Sequence, residues 1–519
     1  MIVDAEQLDL GTTLDLILRH ADTRPQALAA KDDDESLTYG QLCDRAATFA
    51  AGLSTLGIGP GDRVALLLPN SVEFVTSALG CLWIGAAFVP LSLDDPPARL
   101  ARIIDDCDPK VIVSRDPVEA GLGSTSRHGA DIATVLGLAG PTPERAQDPE
   151  RDAYLIYTSG TTGVPKGVRI AEKALRWAIS TTARVQGLDA TTRTVCVSPF
   201  YFDGSYGTLF PTLVAGGSVV IPKREELLFV KRFYRAVLED GITHAGFSPS
   251  YLRLVLSSPK LPSLASSRLR SLGLGGEECL ADDLALLWNT LPDLRVYNYY
   301  GPTETTIEVT TYEVDRRNLC SGKVPIGCPH SGVSFYLVGR DGRVIDGPDK
   351  TGELYIGGNQ LMSGYWGDVA LTNTVLREDV VAGKTLYKTG DLVYRDQQGR
   401  YVYVGRCDDV VKRRGVRISL DEIARILRGV EAVSGVVCTP TDLGGTLGIA
   451  AFVTASPETS VPTLLQAARL AVPATMLPDE VFLVSSLPMT SSGKVDRHAL
   501  LKAAGRKEWR PTNRPAGRF

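Results

Sequence analysis

The sequence predicts an α/β protein: a large N-terminal domain of α/β layers carries a small β-barrel and is followed by a small α+β domain. Through the first 300 residues, apolar runs typical of strands alternate with runs typical of helices, which favours mostly parallel sheets covered by helices. Between about residue 310 and residue 404, short strands are separated by Asp-Gly, Gly-Pro and Gln-Gly turns. This change in sequence pattern indicates an appended antiparallel sheet or distorted barrel.

The individual elements follow from these apolar runs. Strands are predicted at residues 64–68, 111–113, 153–157, 195–197, 219–221, 294–297, 334–338, 352–356, 400–404, 433–438, 449–454 and 480–484. Helices are predicted at residues 72–84, 420–427 and 462–470. We expect an N-terminal domain of residues 1–405, a C-terminal domain of residues 406–505 and a disordered tail of residues 506–519, because the tail has five basic residues, two prolines and few apolar ones.

Length and composition exclude several classes of protein. A chain of 519 residues is too long for one ordinary core, and a net charge of −5 gives no general attraction to nucleic acid or acidic membranes. Nine cysteines without a C-x-x-C pair favour reduced thiols, and five scattered histidines disfavour a zinc site. The first thirty residues lack a basic-then-apolar leader, and no apolar run reaches the ~18 residues of a membrane span. We therefore expect a cytoplasmic protein with neither nucleic acid nor membrane as a partner.

Residues 157–168, which read YTSGTTGVPKGV, carry the clearest functional signal. The run follows a predicted buried strand and combines glycines, hydroxyl side chains and one lysine. Glycines let backbone N–H groups turn towards an anion, hydroxyls add donors, and lysine adds a compact positive charge. The segment therefore predicts a loop for a polyphosphate, distinct from the P-loop because Val168 follows Gly167. Its candidate ligands are Thr158, Ser159, Gly160, Thr161, Thr162 and Lys166.

Further polar segments follow strands later in the chain. In the run 298–304, NYYGPTE, a carboxylate suits magnesium, a hydroxyl suits a phosphate oxygen, and an aromatic ring and an amide suit a purine. The run 387–391, YKTGD, places a carboxylate after a tight turn, where it suits two ribose hydroxyls. A lysine at position 494 lies in a Ser-Gly loop before a predicted helix, as expected of a mobile catalytic group.

Taken in order along the chain, these segments resemble the core motifs of amino-acid adenylation domains of nonribosomal peptide synthesis, within the adenylate-forming (ANL) superfamily. The resemblance runs from 37–42 (LTYGQL) and 85–90 (GAAFVP) through the phosphate loop, 202–205 (FDGS) and 352–356 (GELYI) to 492–494 (SGK). It implies a large N-terminal domain, a small mobile C-terminal domain and a hinge at Asp408. It also places Lys412 and Gly415, just past the hinge, in the segment that lines the approach of a thiol after the small domain rotates.

The resemblance implies ATP-dependent activation of an amino acid to aminoacyl-AMP, with release of pyrophosphate. A carboxylic acid is ionised at pH 7, so the chemistry needs no general base, only cations and donors where charge develops on the α-phosphate. Lys494 is expected to bridge the substrate carboxylate and phosphate oxygens, Glu304 to carry Mg²⁺, and Thr303 to contact the α-phosphate. Asp391 and Arg406 are expected at the ribose, and Asn298 and Tyr300 at the adenine.

The same resemblance assigns a substrate pocket. Asp203 would pair with the α-ammonium group of an amino acid, since a buried charge needs a partner. The other pocket positions are Gly204, Gly207, Gly246, Gly273, Gly275, Tyr299, Ile307 and Glu308. Five glycines leave room for a bulky side chain unless the loops collapse inward. Glu308 either pairs with a basic or hydrogen-bonding end of the substrate or points to solvent.

Partners and alternatives follow from the same comparison of motifs. The family passes the acyl group to a phosphopantetheine thiol in natural-product biosynthesis. No Gly-Gly-x-Ser attachment sequence follows Lys494, so we expect a separate carrier protein, with a small MbtH-like helper protein as a further candidate partner. An acyl- or aryl-CoA ligase of the same superfamily is the alternative enzyme, and a non-catalytic nucleotide-binding homologue is the distant alternative.

Overall fold

The computed structural model of the chain describes residues 11–116, 129–138, 140–158, 165–223, 230–318, 323–407, 410–431, 433–444, 446–488 and 495–508. Its helices are α1 Thr13–Thr23, α2 Tyr39–Thr55, α3 Val72–Ile84, α4 Pro97–Cys107, α5 Ile132–Gly137, α6 Glu172–Gln186, α7 Tyr206–Val214, α8 Lys231–Glu239, α9 Pro249–Leu256, α10 Ala281–Thr290, α11 Val369–Val375, α12 Leu420–Arg428, α13 Val461–Arg469 and α14 Arg497–Ala503. No helix within these ranges is long and apolar enough to cross a membrane.

An eight-stranded sheet forms one half of the large N-terminal region. Its strands are β1 Leu28–Asp32, β2 Ser36–Thr38, β9 Arg193–Cys196, β10 Ser218–Ile221, β11 His244–Phe247, β12 Ser271–Leu274, β13 Arg295–Tyr300 and β14 Thr310–Glu313. They lie in the order β14-β13-β12-β11-β9-β10-β1-β2, and the six inner strands are parallel. The carboxyl ends of β11, β12 and β13 therefore meet at one edge, the usual place for a ligand in an open α/β sheet.

A seven-stranded sheet forms the other half. Its strands are β3 Arg63–Leu67, β4 Ala87–Pro90, β5 Val111–Ser114, β6 Gly129–Asp131, β7 Asp152–Thr158, β8 Lys166–Ala171 and β17 Gly364–Tyr365, in the order β17-β8-β7-β4-β3-β5-β6. β7 and β8 pair antiparallel, with Thr158 opposite Lys166. The predicted phosphate loop is thus the connection of a hairpin. One buried cluster contains Phe88 and Tyr154 of this sheet and Val219 and Ile221 of the eight-stranded sheet, so the two halves share a core.

Helix α3 shows how the local sequence sets these elements. Ser71 accepts a hydrogen bond from the backbone N–H of Phe74, which caps the first turn. The helix ends at Gly85, whose φ of 74° lies in the left-handed region that suits glycine. The helix predicted at residues 72–84 is confirmed with those bounds, and its nearly continuous burial explains why its sequence is apolar on every face.

The region expected to form a small barrel is an open antiparallel sheet instead. It contains β15 Val333–Val338, β16 Thr351–Gly358, β18 Leu376–Arg377, β19 Leu386–Arg395 and β20 Tyr401–Arg406. The order is β15-β16-β19-β18, with β20 also on β19, and no described strand pairs β15 with the far edge. The α/β class is confirmed, and the barrel in that prediction is corrected to a sheet. The turns occur between these strands as expected, but turns alone do not determine whether a sheet closes into a barrel.

The described residues from 410 to 508 form what we term the C-terminal unit. It contains the hairpin strands β21 Val410–Arg413 and β22 Val416–Ser419, and a sheet of β23 Val433–Asp442, β24 Leu447–Ala455 and β25 Glu480–Leu483. Helices α12 and α13 pack against that sheet around the unit's own buried cluster, which includes Ile423. Phe202 of the N-terminal region packs against this cluster. Arg99 on α4 reaches Glu422 of α12 at 3.1 Å, both side chains buried, and joins the unit to the rest of the chain.

Candidate active site

Glu304 is the centre of the polar cleft between the two large sheets and the C-terminal unit. It lies in a short helical turn after β13 and is fully buried (0% exposed). Lys166 at the start of β8 donates to Oε1 at 3.1 Å, and the hydroxyl of Tyr365 on β17 donates to the same oxygen at 2.8 Å. Arg417 on β22 places Nη1 3.2 Å from Oε1 and 3.3 Å from Oε2. Burial opposes the charged form, yet Lys166 and Arg417 outweigh it and lower the pKa of Glu304.

A second buried carboxylate, Asp391 on β19, lies at the same cleft. The hydroxyl of Tyr300 donates to its Oδ2 at 2.6 Å, and Arg406 Nη1 donates to its Oδ1 at 2.6 Å. Asn298 is buried on β13, its side-chain amide donates to the carbonyl oxygen of Pro325 at 2.9 Å, and no described residue donates to its side-chain oxygen. The structure therefore brings together Asn298, Tyr300, Asp391 and Arg406, the four residues predicted around a nucleoside.

The chain between Glu304 and Glu308 follows an unusual path. Thr306 and Ile307 have φ values of 58° and 69°, a region that a β-branched residue rarely adopts. Gln360 holds this turn: its amide donates to the carbonyl of Glu308 at 2.7 Å, and Thr306 donates to the carbonyl of Gln360 at 2.7 Å. No motif in the sequence points to Gln360, Tyr365 or Arg417, since each acts through a contact between distant segments.

Asp203 lies in a short helical turn that leads into α7. Its Oδ2 atom is buried and takes no hydrogen bond from the described residues. Burial raises the pKa of Asp203 to about 6, while Thr303 and the backbone N–H groups of Gly204 and Ile307 act in the opposite direction. The hydroxyl of Tyr154 is likewise buried without a partner in the described structure, and its pKa is raised by burial and by the charge of Asp203. A buried, unsatisfied carboxylate of this kind suits a cationic group on a ligand.

The glycine-lined pocket is much less open than its sequence indicated. An added Cβ atom on Gly273 would lie 2.0–2.2 Å from the ring of Tyr299, and one on Gly275 would lie 3.1 Å from Cβ of Tyr299. The space beside Gly246 is taken by Thr208, at 2.6 Å, and the space beside Gly207 by Oε2 of Glu308, at 2.7 Å. Of the five glycines, only Gly204 faces open space. The expectation of room for a bulky side chain is therefore wrong, because neighbouring side chains fill the volume that the glycines release.

Glu308 points into the protein, so the alternative in which it faces solvent is wrong. It is 5% exposed, and Thr182 on α6 donates to its Oε1 at 2.6 Å. Burial raises the pKa of Glu308 to about 7, the hydrogen bond from Thr182 lowers it, and the charge of Asp203 raises it further. The charge of Asp203 thus adds to the effect of burial on Glu308.

The β21–β22 hairpin of the C-terminal unit enters the cleft. Lys412 is buried there, 5.7 Å from the ring centre of Tyr300, and burial lowers its pKa while Asp391 raises it. Gly415, at the hairpin turn, donates its N–H to Glu277 at 3.0 Å and meets Gly276 so closely that a Cβ there would lie 3.3 Å from Cα of Gly415. Lys412 and Gly415 therefore lie beside the cleft, and their role on the approach of a thiol stays a prediction.

Several predicted site residues cannot be compared with the structure. Ser159, Gly160, Thr161, Thr162, Lys494 and the predicted hinge residue Asp408 lie outside the described residues. Thr158 ends β7, and its hydroxyl is buried without a partner among the residues described. Lys166, seven positions after Ser159, begins the opposite strand. Both ends of the predicted phosphate loop therefore lie at the edge of the cleft that holds Glu304.

Comparison with known proteins decides the family. Residues 17–366, which contain the phosphate loop, Asp203 and Glu304, match the family described as AMP-binding enzyme. The chain belongs to the AMP-binding enzyme family. It falls within the ANL superfamily and is related over most of its length to nonribosomal peptide synthetase adenylation domains.

Individual relatives of this AMP-binding enzyme include peptide synthetases. It is 30% identical over 502 residues to surfactin synthase subunit 2 of Bacillus subtilis (strain 168), covering 96% of this chain and 14% of that protein. The chain thus spans a small part of the curated relatives that it matches. A solved structure of holo-PA1221, an NRPS protein containing adenylation and PCP domains, is 26% identical with a TM-score of 0.83, covering 96% of this chain and 86% of that one.

The same fold also occurs in a CoA synthetase. o-Succinylbenzoate CoA synthetase of Bacillus subtilis superposes with a TM-score of 0.83 at 21% identity, over 94% of this chain and 98% of that one. At such an identity the likeness concerns the fold alone. The superfamily therefore follows from the comparisons, whereas the acid that the enzyme activates has to be argued from its own pocket.

AMP-binding enzymes use ATP. Whether the cleft has room for a magnesium ion depends on the position of Arg417. No cluster of three or more His, Cys, Asp or Glu side chains occurs in the parts of the chain that the structure describes. Mg²⁺ bound to nucleotides commonly takes only one or two protein carboxylates and completes its shell with phosphate oxygens and water. Glu304 is an ionised carboxylate of this kind, but Arg417 occupies both of its oxygens. Because Lys166 and Tyr365 also donate to Oε1, the ion would bind at Oε2, and only once Arg417 withdraws.

Proposed function

We propose that this enzyme activates an amino acid with ATP to form aminoacyl-AMP and pyrophosphate, and then transfers the aminoacyl group to the phosphopantetheine thiol of a carrier protein in natural-product biosynthesis. One observation carries the choice of an amino acid: Asp203 keeps a buried oxygen without a partner in the described residues. An α-ammonium group would neutralise that carboxylate, whereas an aryl or fatty acid would leave it buried and unpaired at a cost of ~3–5 kcal/mol.

The residues around the cleft support the first half-reaction. Lys166 and Thr158 lie at the two ends of the loop proposed to hold the β- and γ-phosphates, which includes Ser159, Gly160, Thr161 and Thr162. Asp391 and Arg406 would bind the ribose hydroxyls, and Asn298 would accept a hydrogen bond from the adenine amino group. Magnesium at Glu304 would supply positive charge for the phosphates. Thr303 would donate to the α-phosphate beside the carboxylate that attacks it.

Lys494 would complete that site from the C-terminal unit, with Asp408 as the hinge between residues 1–405 and residues 406–505. The contacts of the β21–β22 hairpin support a role of the C-terminal unit in the active site, because Lys412 and Gly415 lie in the cleft. With that hairpin inserted, Arg417 neutralises Glu304 in place of a metal ion. This arrangement suits the second half-reaction, after pyrophosphate and its magnesium have left.

Thiol transfer distinguishes this proposal from the CoA-ligase alternative. The enzyme, loaded with its best amino acid and ATP, is offered a phosphopantetheinylated carrier protein in one reaction and coenzyme A in another. We expect aminoacyl-carrier thioester by mass spectrometry and little aminoacyl-CoA. Efficient turnover with coenzyme A and none with carrier proteins would contradict the transfer step, and activity with aryl or fatty acids only would contradict the amino acid.

A further inference from the structure

Glu308 shares with Asp203 a feature that the other buried carboxyl groups with a raised pKa lack: among the described residues, neither forms an ion pair with a lysine or arginine. Burial raises the pKa of several carboxyl groups, and most of them pair with an arginine or lysine. These pairs are Asp152 with Arg169 at 2.9 Å, Glu172 with Arg151 at 3.9 Å, Glu278 with Lys323 at 3.1 Å and Glu422 with Arg99 at 3.1 Å. Glu308 has only the hydroxyl of Thr182, and no described lysine or arginine forms an ion pair with it.

The position of the free oxygen shows where a partner would bind. Thr182 occupies Oε1, whereas Oε2 takes no hydrogen bond from the residues that the structure describes. Oε2 faces α7 at Gly207, where a Cβ atom would lie 2.7 Å from it and would force the carboxylate to shift. Glycine at this position therefore keeps the carboxylate of Glu308 inside the substrate pocket. His330, which reaches the same turn through Gln360, supplies no charge, because burial lowers its pKa to about 4.

The dimensions of the pocket restrict what such a partner can be. Tyr299 fills the space over Gly273 and Gly275, and its pKa is raised by burial and by the charge of Glu308. Asp203 in turn raises the pKa of Glu308. Asp203 and Glu308 lie close together, because the backbone N–H of Ile307 donates to Asp203 and Oε2 of Glu308 faces Gly207. Tyr299 lies over Gly273, which pairs with Gly246, and Gly246 faces Thr208 beside Gly207, so the ring adjoins the same volume. A ligand that neutralises both carboxylates there needs two cationic groups separated by a short chain.

We propose that the substrate is a diamino acid whose side-chain ammonium group binds Glu308, on a side chain shorter than that of lysine. This inference rests on the proposed function, in which Asp203 binds the α-ammonium group. The two carboxylates then recognise the two nitrogens of one substrate, and Tyr299 limits the length of the chain between them. Thr182 is a positioning residue, since its hydrogen bond fixes the orientation of the carboxylate and leaves Oε2 for the substrate.

The test is a matched series in ATP–pyrophosphate exchange. Racemic 2,3-diaminopropionate, 2,4-diaminobutyrate, ornithine and lysine are compared with the neutral amino acids 2-aminobutyrate, norvaline and norleucine, in the wild-type enzyme with any helper protein it needs. We expect the best diamino acid to be shorter than lysine and to exceed the neutral amino acids by ~100-fold or more in kcat/KM, as expected for a buried charge pair.

Glu308→Gln keeps the shape of the side chain and an acceptor for Thr182 while it removes the charge. We expect this variant to lose ~100-fold in kcat/KM for the diamino acid and to gain activity with a neutral one. Glu313→Gln, an exposed carboxylate on β14 paired with Arg295, is the control and should leave the preference unchanged. If Glu308→Gln fails to fold, two other measurements still test the role of Glu308. They are the substrate preference of the wild type and the variant Thr182→Val, which should lower kcat/KM for the diamino substrates only.

The possible outcomes separate this inference from the function on which it rests. A neutral amino acid as the best wild-type substrate would overturn the role of Glu308 and leave amino-acid adenylation standing. Lysine as the best substrate would overturn the short chain that we infer from Tyr299. Exchange with aryl or fatty acids only, or with no acid at all, would overturn both the proposed function and this inference.

Discussion

Arg417 and Glu304, 113 positions apart in the chain, form a buried ion pair in which Nη1 lies 3.2 Å from Oε1 and 3.3 Å from Oε2. Arg417 belongs to the hairpin of the C-terminal unit, and Glu304 belongs to the turn after β13. The same carboxylate is the proposed ligand of magnesium. The insertion of the hairpin and the binding of the metal ion therefore compete for one side chain.

Removal of Arg417 should make magnesium easier to bind. In Arg417→Ala, the Mg²⁺ concentration for half-maximal pyrophosphate exchange should fall by roughly 3- to 10-fold, because a competing charge pair of about 1 kcal/mol is lost. Titration of Mg²⁺ at saturating ATP and amino acid measures it. Arg413→Ala is the control, since Arg413 lies on the same hairpin but pairs with Asp479 inside the C-terminal unit. An unchanged or higher Mg²⁺ requirement in Arg417→Ala would argue against competition.

Lys494 should be needed for one half-reaction only. Lys494→Ala should reduce pyrophosphate exchange by ~10²–10³-fold, because a preorganised cation at the developing charge is lost, while transfer from a preformed adenylate to the carrier stays largely intact. Single-turnover assays of the two steps measure this separately. Lys502→Ala, an exposed lysine on α14, should affect neither step. Equal losses in both steps would contradict the assignment.

Much of the fold could be predicted from local sequence. The helix at residues 72–84 and the strands around residues 64, 111 and 195 occur where their apolar runs begin, because burial on both faces leaves a nearly continuous apolar signal. The barrel prediction was wrong because closure of a sheet is not a local property. Whether β15 meets the far edge of its sheet depends on pairing between distant strands, which the turn sequences between them do not encode.

The site was predicted where function resides in one motif and missed where it depends on long-range packing. Asp391 and Tyr300 could be assigned separately to a nucleoside site, although their hydrogen bond of 2.6 Å joins residues far apart in the chain. The size of the pocket could not be predicted, since glycine reports the absence of a side chain and not which neighbour fills the gap. Here Tyr299 fills it, and Arg417 likewise reaches Glu304 only through the packing of the C-terminal unit.

Activity should decline in acid as the pocket carboxylates take up protons. Burial raises the pKa of Asp203 to about 6, and the ionised form binds the α-ammonium group, so kcat/KM should fall as the pH drops below about 6. For a diamino substrate the fall should begin near pH 7, since burial raises the pKa of Glu308 to about 7. In Glu308→Gln the upper step should vanish. A flat profile from pH 8 to pH 5 would contradict both assignments.

The charge on Glu308 should also cost stability when no substrate is bound. Its pKa is raised in the folded protein from 4.5 to about 7, so the folded state binds the proton more tightly than the unfolded state. This contribution to stability is complete below about pH 4.5 and is lost as the pH rises through about 7. Glu308→Gln should therefore be more stable than the wild type at pH 8, by on the order of 2 kcal/mol.

Chemical unfolding at two pH values checks this effect on stability. The free energy of unfolding of Glu308→Gln should exceed that of the wild type at pH 8, and the difference should shrink towards pH 5. Glu313→Gln should show no such gain, because Glu313 pairs with Arg295 and its pKa is lowered by the hydrogen bonds from that arginine. A Glu308→Gln variant that is less stable at pH 8 would show that a cationic group stabilises the ionised carboxylate in the free enzyme and would contradict this account.

Tyr299 should set the upper limit on substrate length. Tyr299→Ala empties the space over Gly273 and Gly275, so longer side chains should gain at least ~10-fold relative to shorter ones in kcat/KM, a difference of about 1.4 kcal/mol that new apolar contacts can supply. The comparison of 2,4-diaminobutyrate with lysine measures the change. Tyr299→Phe retains the ring and should keep the wild-type order. An unchanged order in Tyr299→Ala would show that another group limits the pocket.

ATP–pyrophosphate exchange by the purified wild-type enzyme tests the central claim, amino-acid adenylation, most directly. The acids offered are the proteinogenic amino acids, a set of nonproteinogenic ones that includes short diamino acids, and representative aryl and fatty acids, each with and without an MbtH-like helper protein. We predict exchange that requires an amino acid and falls by ~10²-fold or more in Asp203→Asn. Exchange supported only by aryl or fatty acids, or an amino-acid signal unchanged in Asp203→Asn, would contradict the account.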